Sequence, residues 1–300
     1  MSRIACIVFF ALLVVPCISN AETIDVQIKG VDDDAKTTKQ QDYKEAVLFA
    51  KLDDGLYLGE FDSPQKSPIC NYPITILKID PKFYSFKLLS ASEHDGKKRT
   101  TKQWCKKFGL IAAINTSMYR EDKASTGYMK NYKHLNNTAI NPKFGAFMAF
   151  NPANSSVPLV QIIDRYHQDW KNLITVYNTV IQNYRMITLA GENAWKKKTE
   201  EKIYSTAAIG IDRSGKVLFI FSRAPYSTHD FNDILLALPI NLKNAVYVEG
   251  GPEATLYVKA GDTDREWVGS YETYFNEYDD NKSAWHIPNI IGIAKRKQGS

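Results

Sequence analysis

The sequence predicts an α+β fold: a single domain with a mixed β-sheet that contains βαβ units and carries covering helices. Three observations predict it. Residues 216–222, KVLFIFS, are a strand-length apolar run. Ser227, with Asp230 three residues on, resembles a capping box, and Phe231, Ile234, Leu235 and Leu238 then share one helical face until Pro239. Residues 245–249, AVYVE, supply the next strand. Strand, helix and strand in that order make a βαβ unit, its strands parallel and its crossover right-handed. Phe83 to Asn115 repeats the order with a shorter helix.

Arg3 is the only charge before an apolar run from Ile4 to Ile18, and Ser19-Asn20-Ala21 offers small residues for cleavage. That pattern predicts a secretory signal over residues 1–21 and a secreted or periplasmic protein beginning near Glu22. An alternative takes Cys17 as a lipid-attachment cysteine, although Val15-Pro16 lacks the small residues that normally precede one. No later stretch has the length and apolarity of a membrane span. Residues 22–45, with Asp32-Asp33-Asp34 and Lys39-Gln40-Gln41, read as a polar leader, and 46–300 as the domain. Cleavage would remove Cys6 and Cys17. The remaining Cys70 and Cys105 then predict one disulfide in an oxidising compartment, with two buried thiols as the alternative.

Ala46 to Leu52 and GLYLGEF flank an Asp53-Asp54-Gly55 turn and predict a hairpin. ITILKID and FYSFKLLSAS are two further strands. Thr100 or Thr101 caps a helix with Trp104 and Phe108 on one face and Gly109 as its stop. LIAAIN follows as a buried strand ending at Asn115. KFGAFMAF and VPLVQII read as strands, and residues 169–187 as a helical turn followed by a strand. The chain then reaches Glu249-Gly250-Gly251-Pro252-Glu253, a tight turn with a carboxylate on each side and another strand-like run after it.

In a βαβ unit the ends of both strands and the start of the helix face one rim, where ligands bind in such sheets. Ser222, Arg223, the segment Tyr226 to Asp230, and Glu249-Gly250-Gly251 should gather there. Asn115 joins them if both units share a sheet. Glu249 is the expected acid, base or nucleophile, with His229 and Asp230 beside it. Arg223 and the Gly250 and Gly251 amides are expected to hold an anion. The simpler reading of each is also open: a polar turn at Glu249, a surface pair for Arg223 with Asp230, a solvated His229, and Asn115 as a turn former.

Composition narrows the partners. The formal charge of +5 is mild and its lysines are scattered, which suits an anionic ligand and gives no argument for nucleic acid. No His or Cys cluster has zinc spacing, and Asp262-Thr263-Asp264 lacks the remaining ligands of a calcium loop, so neither a metal nor any other cofactor is expected. Nothing in the sequence fixes an oligomeric state.

FGLIAAINTSMY, Gly127 in STGYM, AAIGIDRSGKVLFIF and AVYVEGGPEATLYV together resemble, in order, the blocks of the phosphodiester glycosidase family, over roughly residues 70–295. The resemblance implies an α+β domain that hydrolyses a sugar-1-phosphodiester. It places Glu249 where the family pattern has Asp, and Pro252-Glu253-Ala254-Thr255 where it has a Ser-rich segment. Thr206 stands where the family's characterised glycosidase has Arg. Asn115 and Gly127 match. The resulting expectation is a hydrolase of a glycosyl phosphodiester or related envelope glycan. Its site would comprise Glu249, His229 and Asp230 for chemistry, and Asn115, Arg223, Ser222, Gly250, Gly251, Glu253 and Gly127 for binding. The alternative is a non-catalytic binder of anionic glycans on the same fold.

Overall fold

The computed structural model describes residues 48–296, so the expected signal and leader lie outside the described residues. In chain order the elements are β1 (Ala50–Asp53), β2 (Leu56–Phe61), β3 (Ile74–Ile79), β4 (Tyr84–Ser90), α1 (Thr101–Phe108), β5 (Ala112–Asn115), β6 (Met129–Asn131), β7 (His134–Asn137), β8 (Ala146–Pro152) and β9 (Val160–Asp164). Then come α2 (Trp170–Leu173), β10 (Tyr177–Ile187), β11 (Tyr204–Asp212), β12 (Val217–Tyr226), α3 (Thr228–Ala237), β13 (Leu242–Gly250), β14 (Thr255–Ala260), β15 (Thr263–Val268) and β16 (Asn289–Lys295).

The fold is mostly β, which corrects the expected α+β class. The strands form two sheets. One has eleven strands and runs β1-β2-β3-β12-β11-β13-β10-β6-β7, with β8 pairing β10 and β9; the other runs β15-β14-β5-β16-β4. Every ladder among the described strands is antiparallel. The expected βαβ units are therefore absent as paired units. β12 and β13 share a direction, but β11 lies between them and pairs antiparallel with both. The cause is local: Asp212 Oδ1 accepts the backbone N–H groups of Ser214 and Lys216, each at 2.9 Å, closing a tight β11–β12 turn at Gly215. In the same way β16 lies between β4 and β5, and that second unit belongs to the other sheet.

The two sheets face each other across one core. Leu77, Ile209, Phe219 and Val246 come from the eleven-stranded sheet, and Phe86, Ile114, Leu256 and Ile291 from the five-stranded one, all buried. The rings of Phe86 and Phe219 meet at 6.2 Å in an edge-on arrangement. Short helices cover the outer faces. α3 buries Phe231, Ile234 and Leu235 on the larger sheet, and α1 buries Trp104 and Cys105 on the smaller. The caps follow the sequence: Thr100 and Gln103 form a reciprocal capping box, and Gly109 ends α1 at φ 62°. Ser227 Oγ accepts the Asp230 N–H at 3.1 Å to start α3.

The expected disulfide does not form. Cys105 is on the buried face of α1 against the smaller sheet, whereas Cys70 packs against the cluster on the outer face of the larger sheet, and both are free thiols. Burial and the nearby Asp279 push the Cys70 thiol up to about 12, so it is held in its unreactive protonated form. No helix among the described residues is long and apolar enough to cross a membrane.

Candidate active site

The Glu-Gly-Gly-Pro-Glu segment joins the sheets. β13 ends in the larger sheet, a 3-10 turn over Gly251–Glu253 follows, and β14 starts in the smaller sheet. The turn expected between two neighbouring strands is thus a corner between layers.

A β-bulge aims Glu249. On β11, Ala208 opposes Tyr247 and Ala207 opposes Glu249, which leaves Val248 as an extra residue. Tyr247 packs with the outer cluster, whereas Ala207 and Val248 pack between the sheets. The bulge brings Glu249 into register with Ala207 rather than continuing the alternation begun by Tyr247. Glu249 is only 6% exposed. Its Oε1 accepts the Gly250 N–H at 3.1 Å, and its Oε2 is buried without a hydrogen-bond partner. Burial first, then the Glu253 and Glu272 carboxylates, raise the Glu249 carboxyl well above its usual range. The shift favours the acid form, and Oε2 is the oxygen left free for the proton because Oε1 accepts from the backbone.

Two further carboxylates surround it. Glu253 Oε1 accepts the Tyr119 hydroxyl at 2.7 Å. Asn115 pins the corner from the smaller sheet, its Nδ2 donating to the Glu253 carbonyl at 2.9 Å and its Oδ1 accepting the Thr255 N–H at 2.7 Å. The Glu272 carboxylate rests on Gly251, where a Cβ would collide with it, and Gly251 has φ 62°. Burial and then Glu253 raise Glu272, against the pull of Lys202. At Gly250 a Cβ would strike the Tyr247 hydroxyl. Tyr247 and Tyr204 meet edge-on at 5.8 Å, and Tyr204 bonds through its hydroxyl to Thr228. Burial raises the phenols of Tyr119, Tyr204 and Tyr247, so all three remain donors near neutral pH.

Of the residues expected from sequence, the structure brings together Glu249, Gly250, Gly251, Glu253 and Asn115. The others lie apart or are engaged elsewhere. Arg223 pairs with Asp279 at 2.7 Å, donates to the carbonyls of Val268 at 2.9 Å and Asn281 at 3.0 Å, and lies over the Tyr72 ring. It fastens the 268–281 segment and has little fork left for an anion. His229 and Asp230 form their own cluster on the first turn of α3, with Nδ1 3.3 Å from Asp230, 3.6 Å from Asp233, and Lys197 on Asp230 at 3.4 Å. Burial would raise Asp230, but His229 and Lys197 outweigh it and lower the carboxyl. Ser222 sits beside Thr206, itself opposite Gly250, but its hydroxyl donates to the Ala224 carbonyl at 2.7 Å. Gly127 is a packing glycine: a Cβ there would lie 2.6 Å from the Phe144 ring.

Sequence reasoning missed Tyr119, Tyr204, Tyr247 and Glu272. Tyr119 had a local signal, four residues after Asn115 in the same block; Glu272, in YETYFNEYDD, had none. Among the described residues no group of three or more His, Cys, Asp or Glu is placed to hold a metal ion.

The fold and site define a mostly-β protein of two facing antiparallel sheets, with buried carboxyls and tyrosines around a glycine corner that joins them. Within that class, the chain belongs to the phosphodiester glycosidase family, whose sequence profile matches residues 108–294, more than half of its length. Two solved structures are similar in fold. One is the catalytic domain of zebrafish N-acetylglucosamine-1-phosphodiester alpha-N-acetylglucosaminidase, auto-inhibited by its pro-peptide, with 12% identity, TM-score 0.55, and coverage of 82% of this chain and 86% of that one. The other is a hypothetical protein from Synechocystis, with 13% identity and TM-score 0.54; the match covers 83% of this chain but only 63% of that one. No curated protein sequence matches this chain.

Proposed function

We propose that the protein is a secreted or periplasmic hydrolase of glycosyl phosphodiesters, with Glu249 as the general acid and Glu253 as the base. The observation that carries this reading is Glu249 itself: a buried carboxyl raised toward its acid form, with one oxygen free of any partner, in a chain of the phosphodiester glycosidase family. A carboxyl whose acid form is favoured by burial suits proton donation to a leaving oxygen.

In the proposed step a water oxygen bonds to the anomeric carbon and gives a proton to Glu253. The bond from that carbon to the phosphate oxygen breaks, its electron pair stays on the phosphate, and the Glu249 proton neutralises it. The acid form of Glu249 and the hydroxyl of Tyr247 would supply donors for a phosphate. Tyr119 holds Glu253 in place.

The test is hydrolysis of a panel of sugar-1-phosphate diesters by wild type, Glu249→Gln and Glu253→Gln. Turnover lost in both variants supports the assignment. Turnover kept in Glu249→Gln refutes it. No turnover by any of them, with anionic sugars still raising the wild-type melting temperature, would make the protein a binder on this fold.

A further inference from the structure

A second cleft, of about 290 Å³, opens where β10 meets the loop that leads to β11, and it has a different chemistry from the carboxyl corner. Lys143, Lys196 and Lys198 line it together with Tyr166, Tyr184 and Trp195. The three lysines are exposed, and no ion pair holds any of them among the described residues. Arg185 also reaches the cleft, but both oxygens of the buried Asp164 take its Nη1, at 3.0 and 2.9 Å, so its charge is spent on the fold. Glu201 Oε1 accepts the Lys198 backbone N–H at 3.2 Å, but none of the three lysine ammonium groups has a carboxylate partner among the described residues, which leaves positive charge open to an anion.

The aromatic wall is fixed in place. Trp195 Nε1 donates to the Arg185 carbonyl at 2.8 Å, the Tyr184 ring lies 5.6 Å from Trp195 and 4.4 Å from Phe144, and Arg185 stacks on Tyr166 at 4.6 Å. Rigid rings offer flat apolar faces at little entropic cost, which is what sugar rings pack against. Unpaired ammonium groups beside them add an anion site. The larger cleft near Arg223, about 520 Å³, also has aromatic rings, Tyr72 and Trp267, but brings a single lysine, Lys282, outside the ion pairs of Arg223 with Asp279 and Arg265 with Glu60.

The position gives the cleft its use. Tyr184 is the direct cross-strand partner of Tyr247, whose hydroxyl abuts Gly250 at the carboxyl corner. We infer that this cleft is a binding site for an anionic saccharide, taking a phosphate-bearing sugar unit of a substrate that extends one strand beyond the bond to be cut. The inference rests on the proposed hydrolase reading for the order of the two sites, and it names the substrate class as an oligomer of sugars joined through phosphates.

The experiment is calorimetric titration of the Glu249→Gln protein, which separates binding from turnover. The probes are a synthetic oligomer of N-acetylglucosamine 1-phosphodiesters, the neutral oligomer of the same sugar, and inorganic tripolyphosphate. The phosphate-linked oligomer should bind tightest. Replacing Lys143, Lys196 and Lys198 together by Ala should weaken it about tenfold, the product of three exposed charge contacts. Trp195→Leu should weaken the oligomer and leave tripolyphosphate unchanged. Equal affinity for tripolyphosphate and the oligomer, equal affinity for the neutral oligomer, or an unaltered triple variant would each overturn the inference. If these titrations succeed while wild type hydrolyses nothing, the cleft stands and the hydrolase reading falls. If wild type hydrolyses single diesters but the triple variant binds normally, the reverse holds.

Discussion

Glu249→Gln perturbs the site with minimal change of shape, since an amide replaces a carboxyl of the same size in a pocket that leaves only 6% of the residue exposed. Its effect on stability should depend on pH in a definite direction. In the unfolded chain a glutamate titrates near pH 4.3. In the folded protein, burial and the Glu253 and Glu272 carboxylates hold Glu249 well above that. Between those two values the unfolded chain has lost a proton that the folded chain keeps, so stability falls as pH rises. The slope is about 1.4 kcal/mol per pH unit until the folded carboxyl itself ionises. The amide of the variant has no proton to lose in this range, so this slope should vanish from it. Glu272 is raised in both proteins and contributes equally to first order. Urea unfolding of both proteins between about pH 5 and 8 measures the difference. Wild type should be favoured at the acid end and the variant should gain on it steadily as pH rises. Stability curves that stay parallel across that range would refute the claim that Glu249 is protonated in the fold, and the general-acid role with it.

Gly251→Ala should cost about 2 kcal/mol or more, because φ 62° strains an L-residue and the new Cβ must displace the Glu272 carboxylate. Thermal unfolding reads the loss, and an unchanged melting temperature would mean that the corner is looser than described. Tyr119→Phe removes the 2.7 Å hydrogen bond to Glu253 Oε1 and should lower stability by about 1–2 kcal/mol. It should also reduce turnover of any hydrolysed diester; a fully active, fully stable variant would show that Tyr119 does not position Glu253.

Local features of the chain were legible in the sequence and long-range pairings were not. Thr100, Gln103 and Gly109 announce α1 because a cap is made by residues within one helical turn of each other. The strands ITILKID and KVLFIFS are readable because their burial dictates their composition. The sheet order failed because β11 and β16 reach their places from outside the segments that looked like βαβ units. Glu249 was legible as a carboxylate beside glycines. The bulge at Val248 was not, since a bulge exists only relative to the partner strand. Arg223 looked available because sequence shows a charge but not Asp279, which lies 56 residues further on and takes it.

The corner at Gly251–Glu253 also ties the two carboxyls to the bulk of the molecule. Glu249 hangs from the larger sheet, while Asn115 of the smaller sheet grips the carbonyl of Glu253. The spacing of the two carboxyls is therefore a vernier for the offset between the layers. Trimming a ring such as Phe86 in the core between the sheets would let one layer settle against the other and, on the proposed reading, change the hydrolysis rate. In this architecture the core serves as the ruler that keeps the two carboxyls in adjustment.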